Sequence, residues 1–139
     1  MAKKGPNSSA APARIYWGAD VPMRVIRDFA RRVAERFDPD RIILFGSHAY
    51  GTPNADSDVD ILVVMPAYNE GSKAHRTRMA VSAPFPMDLI VRTPETLKWR
   101  IEEGDWFLRE ITSKGKVLYE KADGGVGAKA GSRLPRAKK

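Results

Sequence analysis

Three aspartates between positions 58 and 88 have the residue type and spacing needed to bind divalent cations. Asp58 and Asp60 are separated by one residue in SDVDILVV, and Asp88 stands in MDLIVR. Residues two apart in a strand project from the same face, so Asp58 and Asp60 would present two carboxylates side by side. Mg²⁺ prefers hard oxygen ligands and takes a few carboxylates plus substrate phosphates. The three aspartates are therefore candidate metal ligands and catalytic residues, and Asp88 is also a candidate base for an attacking hydroxyl.

A second motif, Gly46-Ser47, is separated from Asp58 by ten residues. Gly46 has no Cβ and lets the backbone approach a phosphate closely, while Ser47 adds a hydroxyl donor. A helix beginning there would direct N–H groups and the positive end of its dipole at the anion. Ser57 is a further candidate, either for nucleotide binding or for holding the loop before Asp58. The motif predicts a phosphate-binding turn next to the carboxylates.

Each motif is weak by itself, because a Gly-Ser turn is most often only a turn and an Asp-x-Asp pair is most often solvated. Their order along the chain is more informative than either motif alone. A strand leads into Gly-Ser, a fixed gap leads to a second strand with paired aspartates, and a third strand carries another aspartate. This order favours a functional site.

The elements that must position these residues follow from the apolar pattern. Short apolar and β-branched runs predict strands over 41–45, 59–65, 87–92 and 116–120. Helices are predicted from an Asp20 N-cap to Asp38-Pro39, for one turn after Gly46, over 72–82, and from Thr93 to Lys114 with a break at Gly104. Alternating helices and strands predict an α/β fold, a small mixed β-sheet with helices packed against it.

The 139-residue chain is long enough for one domain with its own core, which we expect over 15–120. Residues 1–14 and 121–139 are predicted to be a disordered leader and a disordered basic tail. These ends carry charges of +3 and +5, whereas 15–120 contains 15 basic and 16 acidic residues, so the net charge of +7 comes from the ends. A nucleic-acid-binding domain carries its basic residues on the folded surface. We therefore expect nucleic acid to be bound at most weakly, through the tails.

The composition also excludes several kinds of site. The chain has no cysteine, so disulfides and thiolate metal sites are impossible, and its two histidines make a histidine-based metal site unexpected. The longest apolar run, 61–65, is too short to cross a membrane, and the first fourteen residues lack the apolar core of a signal peptide. We expect a cytoplasmic protein.

These motifs together resemble the minimal nucleotidyltransferases of the DNA polymerase β-like superfamily. The signature of that family, Gly-Ser, ten residues and Asp-x-Asp, is present in GSHAYGTPNADSDVD, and Asp88 matches the third carboxylate. The resemblance covers about residues 20–121 and implies the nucleotidyltransferase fold. It implies a nucleoside triphosphate, usually ATP, bound near Gly46, Ser47 and Ser57. It also implies two Mg²⁺ ions on Asp58 and Asp60, one of them shared with Asp88, and transfer of a nucleoside monophosphate to a hydroxyl.

The acceptor is left open by the residues themselves. We expect no second domain to bind it, so it must be bound by a partner or a second copy, or be the partner. The resemblance extends to antitoxins of toxin–antitoxin pairs, which implies a helical HEPN-type toxin as partner, adenylylated on a tyrosine. The alternatives are a homodimeric adenylyltransferase of small molecules such as aminoglycosides, an antitoxin acting by binding alone, and a nucleic-acid binder acting through its tails.

The pair Trp99 and Trp106 and the basic run before Asp88 allow two interpretations each, and Trp17 allows one. Trp99 and Trp106 lie seven apart on the last helical stretch, where core packing is favoured over an exposed patch for a partner. Trp17 is expected to pack as a staple on the first helix. The basic run around Arg76 and Arg78 is expected to be a solvated helix face, with a triphosphate contact as the alternative.

Overall fold

The computed structural model describes residues 14–122, which form five helices and one sheet. A 3-10 turn over Gly18–Asp20, here named the entry turn, precedes the first helix. The elements in chain order are α1 (Met23–Phe37), β1 (Arg41–Phe45), α2 (Ser47–Tyr50), β2 (Val59–Val64), α3 (Glu70–Ala80), β3 (Met87–Arg92), α4 (Pro94–Glu102), α5 (Trp106–Lys114) and β4 (Lys116–Glu120).

The sheet has the strand order β3-β2-β1-β4. Strand β1 pairs antiparallel with both β2 and β4, whereas β2 and β3 are parallel and are joined by α3. A parallel pair requires such a crossover because both strands run in the same direction. The predicted α/β fold with a small mixed sheet is confirmed.

Both faces of the sheet are covered by helices. Alternate strand residues on one face pack with α1 and the segment around Phe85, whose ring contacts Phe29 edge-on at 5.6 Å. The other face, with Ile43, Phe45 and Leu62, packs against the buried residues of α4 and α5. Because side chains alternate between faces, Asp60 points to the α4–α5 side, like Leu62.

The predicted strands match the structure to within one residue, but two helices begin elsewhere. Helix α1 starts at Met23 and not near Asp20, because the entry turn is a separate unit and Pro22 stands at the N-cap in an extended conformation. Helix α3 starts at Glu70 because the Asn69 side chain caps it, accepting a 2.8 Å hydrogen bond from the Ser72 N–H. The predicted break at Gly104 separates α4 from α5.

The predicted burial of the tryptophans is wrong. Trp99 is 60% exposed, Trp106 is 72% exposed, and Trp17 is 65% exposed, so it does not act as a buried staple. Helices α4 and α5 bury Leu97, Leu108 and Ile111 instead. The exposed side chains of Trp99, Trp106 and Phe107 on α4 and α5 are here named the exposed aromatic surface.

The predicted leader and tail lie almost wholly outside the described residues, and their disorder stays a prediction. Lys121 is described, and its N–H donates to the Asp40 carbonyl at 2.9 Å. Within 14–122 no helix has both the length and the apolar character needed to cross a membrane.

Candidate active site

The three aspartates lie at one end of the sheet. Asp60 is the second residue of β2, and the register places it beside Asp88 of β3 on one side and Phe45 of β1 on the other. Asp58 immediately precedes β2. Asp58 and Asp88 are exposed, whereas Asp60 between them is partly buried. The strand pairing therefore brings together residues that are up to 30 positions apart in the sequence.

The electrostatics of this end of the sheet are unfavourable for three bare carboxylates. The pKa of Asp60 is raised to about 6, first because burial disfavours its charged form and then because Asp88 and Asp58 are negative. His48 opposes the shift weakly. A bound cation would remove this penalty, since it would offset the mutual repulsion and replace the lost hydration.

The three aspartates are neighbours, but their side chains do not surround a common metal position. Among residues 14–122, no three His, Asp or Glu side chains are already arranged around a common metal position. The donor set still fits Mg²⁺, because this ion takes only a few carboxylates and completes its shell with water and substrate phosphates.

The predicted phosphate-binding turn at Gly46-Ser47, here named the phosphate turn, lies directly against Asp60. Gly46 has φ 75° and ψ −161°, a conformation open in practice only to glycine, and a Cβ at this position would overlap the Asp60 carboxylate. The missing Cβ therefore lets the Asp60 carboxylate pack directly against the backbone at Gly46. Ser47 begins α2 next to it. Because α2 has only four residues, its dipole is small, and the N–H groups of its first turn are the groups that could donate to an anion here.

Ser57 is held within its own loop, residues 52–58. Its Oγ accepts a hydrogen bond from the Asn54 N–H at 2.9 Å, and its N–H donates to the Asn54 carbonyl at 3.1 Å. The Asp56 N–H donates to the Asn54 side chain at 2.8 Å. These bonds support the role of Ser57 in holding the loop before Asp58. Its predicted contact with nucleotide stays a prediction.

Arg78 makes its contact at the outer edge of the sheet. Its Nη1 donates to the Leu89 carbonyl at 3.4 Å, one residue after Asp88 in β3, while Arg76 is exposed. The contact occupies the edge of β3 and not the phosphate turn. The default interpretation of this helix face as solvated is therefore favoured.

One residue with a clear place in this geometry was not predicted. His48 is only 9% exposed, and its two ring nitrogens face the carbonyl oxygens of Gly18 and Asp58 at 2.9 and 3.2 Å. Nothing in the local pattern indicated this contact, because one partner is 30 residues away and belongs to a turn that precedes the predicted helix.

Comparison with known proteins extends what the fold shows. No curated protein matches the chain. A crystal structure of a candidate nucleotidyltransferase from Sulfolobus solfataricus is similar at 18% identity, with 58% of this chain and 71% of that chain covered and a TM-score of 0.43. The model of the nucleotidyltransferase domain family matches residues 26–119, from α1 to β4. Because this match spans more than half of the sequence, the chain belongs to the nucleotidyltransferase domain family, whose activity is the transfer of a nucleoside monophosphate.

Proposed function

We propose that this protein is a magnesium-dependent nucleotidyltransferase that transfers AMP from ATP to a hydroxyl of a partner protein. The observation that carries the proposal is the register of β2 and β3. It places Asp60 beside Asp88, directly against the glycine of the phosphate turn, in a chain of the nucleotidyltransferase family.

In this proposal Asp58, Asp60 and Asp88 hold the metal, and the turn at Gly46-Ser47 holds the triphosphate. Bound Mg²⁺ would supply charge neutralisation and polarise the α-phosphate. Gly46 lets the Asp60 carboxylate lie against the turn, because a Cβ would overlap it, and so brings the metal ligand next to the N–H groups that would hold the phosphates. The Ser47 hydroxyl and the first N–H groups of α2 donate to phosphate oxygens.

The transfer step follows from in-line displacement at the α-phosphorus. The acceptor oxygen forms a bond to the α-phosphorus as the bond from that phosphorus to the bridging oxygen breaks. Pyrophosphate leaves with the electron pair of the broken bond. The proton of the acceptor hydroxyl passes to the exposed carboxylate of Asp88, which stands at the open side of the cluster.

A protein acceptor is supported by the surface that borders the site. The ring of Phe107 in α5 packs edge-on against Phe45 at 5.7 Å, and Phe45 is the register neighbour of Asp60. Phe107 is 49% exposed and the adjoining Trp106 is more so. Exposed aromatic side chains are typical of surfaces that bind other proteins. In line with the resemblance noted above, we propose a helical HEPN-type toxin, modified on tyrosine, as the acceptor.

Transfer of label from ATP tests the proposal. The protein is mixed with α-labelled ATP, Mg²⁺ and the product of the adjacent gene, with Asp60→Asn and Asp56→Asn variants alongside. Asp56 is an exposed aspartate of the same loop and serves as the matched control. We expect magnesium-dependent label on the partner with the wild type and with Asp56→Asn, and none with Asp60→Asn.

Other outcomes separate the alternatives. Absence of label on a partner that the folded wild type binds would contradict the protein acceptor, and small hydroxylated molecules would be tested next. Neutralisation of the partner that survives Asp60→Asn would show that binding alone is the main activity.

A further inference from the structure

His48 joins two segments that flank the carboxylate cluster. In α2 its ring lies between the entry turn and the loop 52–58, with Nε2 2.9 Å from the Gly18 carbonyl oxygen and Nδ1 3.2 Å from the Asp58 carbonyl oxygen. A neutral imidazole donates through one nitrogen and an imidazolium through both. Since both partners are carbonyl oxygens and only accept, the imidazolium donates to both, whereas the neutral ring donates to one and contacts the other.

The entry turn also packs directly on the loop that leads to Asp58. Gly18 has φ +52°, and a Cβ built on it would overlap the backbone carbonyl of Ala55. Any larger residue at position 18 would push the entry turn and the loop apart. The contact of His48 with Gly18 therefore anchors the histidine on a turn that is itself seated against the loop.

The same N-terminal segment is tied to the approach to the third aspartate. The Tyr16 N–H donates to the Pro84 carbonyl at 2.8 Å, and the Val59 N–H donates to the Pro86 carbonyl at 3.0 Å. Pro86 immediately precedes β3, and Pro84 lies two residues before Pro86. The segment before α1 thus contacts both the loop 52–58, which leads to Asp58, and the segment that leads to Asp88.

The backbone of Asp58 is held differently from that of Asp60 and Asp88. Asp60 and Asp88 belong to paired strands, whereas Asp58 lies just outside β2 and its side chain is exposed. Its backbone carbonyl is held through His48. The buried ring is therefore placed to set the position of this carboxylate along the loop.

We infer that His48 is a positioning residue for Asp58, and that it acts with Gly18 to hold this carboxylate where it binds the metal. The inference rests on the proposed function, since it takes Asp58 as a metal ligand. Partners that orient metal ligands typically contribute about 10–100-fold to metal affinity. His48 does not touch the nucleotide in this account, so its effect falls on the metal and not on ATP.

The test measures magnesium binding apart from turnover. The rise in Tm with Mg²⁺ is recorded with a non-hydrolysable ATP analogue for the wild type, His48→Phe, His48→Asn and His75→Phe. Phenylalanine fills the space without a ring nitrogen, and asparagine restores one donor. His75 is exposed on α3 and is the matched control.

We expect His48→Phe to raise the Mg²⁺ concentration for half-maximal stabilisation about 10-fold. His48→Asn recovers part of this loss, and His75→Phe behaves as the wild type. In label transfer, the apparent KM for Mg²⁺ rises with His48→Phe while the KM for ATP changes little. Equal changes in both KM values, or an unchanged Mg²⁺ response, would overturn the positioning role.

The Asp58→Asn background separates this inference from the proposed function. Because His48 acts through Asp58, adding His48→Phe to Asp58→Asn weakens the Mg²⁺ response no further, and additive losses would contradict the inference. If Asp58→Asn alone leaves the Mg²⁺ response intact, the proposed metal site fails. If Asp58→Asn weakens it and His48→Phe does not, only the positioning role fails.

Folding is checked by circular dichroism before each titration. If His48→Phe does not fold, His48→Asn and Gly18→Ala decide the question. Gly18→Ala displaces the turn that anchors His48 and is expected to weaken Mg²⁺ binding in the same direction. A folded Gly18→Ala variant together with a folded His48→Asn variant, both with a wild-type Mg²⁺ response, would overturn the inference.

Discussion

Asp60 shows how one residue couples stability to pH in the metal-free protein. Its pKa is about 6 in the folded chain, against an ordinary value of 3.8, because it is buried near two other negative charges. A carboxyl with a raised pKa binds its proton more tightly in the folded state than in the unfolded state. The folded state is therefore favoured at low pH, and this contribution is lost as pH rises from about 4 to about 6.

Asp60→Asn is expected to stabilise the metal-free protein at pH 8. The shift in pKa, discounted for solvent screening of a partly exposed group, gives a gain of about 1–2 kcal/mol in the free energy of unfolding. The gain shrinks toward zero near pH 4, where the wild-type carboxyl is protonated in the folded state. Chemical denaturation in EDTA at both pH values measures it, with Asp56→Asn as the control. An equal gain at both pH values would contradict the electrostatic explanation.

Gly46 and Gly51 form a matched pair for testing the phosphate turn. Both have positive φ, but only at Gly46 would a Cβ overlap another group, the Asp60 carboxylate, whereas Gly51 faces open space. Gly51→Ala is expected to cost about 1–2 kcal/mol from backbone strain alone. Gly46→Ala should cost more and also abolish label transfer. Urea unfolding and the transfer assay measure the two effects, and equal behaviour of the variants would count against the close approach at Gly46.

At the scale of helices and strands, the sequence pattern predicted the bounds of those elements that depend on neighbouring residues. The strands β1, β3 and β4 have the predicted bounds, because each is a short run of apolar residues between polar turns. The start of α1 was missed because the entry turn depends on contacts with Ala55 and His48, which are distant in sequence. The exposure of Trp99 was missed because spacing shows which residues share a helix face and not which face meets the sheet.

Two neighbouring residues of α5 test this correction. Leu108 is fully buried against the sheet and Trp106 is 72% exposed. Leu108→Ala is expected to lower the free energy of unfolding by about 2–5 kcal/mol, as for other large-to-small core changes. Trp106→Ala should cost about 1 kcal/mol, because little of the ring leaves solvent on folding. Urea denaturation compares the two, and a larger loss for Trp106→Ala would restore the core interpretation of the tryptophans.

At the scale of the whole molecule, the predicted site residues could be brought together only by the fold. Spacing of two suggested that Asp58 and Asp60 lie side by side, but nothing local places Asp88 opposite Asp60. That neighbour relation comes from the parallel pairing of β2 and β3. The sequence could not predict the place of His48 at all, since its contacts depend on the packing of the entry turn.

The near-neutral charge of 15–120 predicts that the basic ends are dispensable for catalysis. A chain shortened to 14–122 is expected to retain label transfer, whereas a nucleic-acid binder acting through its tails would lose its function. The cut belongs after 122, because Lys121 donates its N–H to the Asp40 carbonyl and its side chain lies 3.3 Å from Asp38. Removing Lys121 as well should lower the Tm. Label transfer and thermal unfolding of both shortened chains measure these effects.

The pairing of β2 with β3 has a consequence for how such a chain can diverge. Backbone hydrogen bonds set the separation of Asp60 and Asp88, so mutations elsewhere can hardly change it without breaking the sheet. Asp58 is carried by a loop whose length and sequence can vary more freely. Under the proposed function, new acceptors would therefore be accommodated by changes in the loop 52–58 and in the exposed aromatic surface of α4 and α5. Asp60 and Asp88 would be retained through those changes, because single substitutions cannot alter their separation gradually.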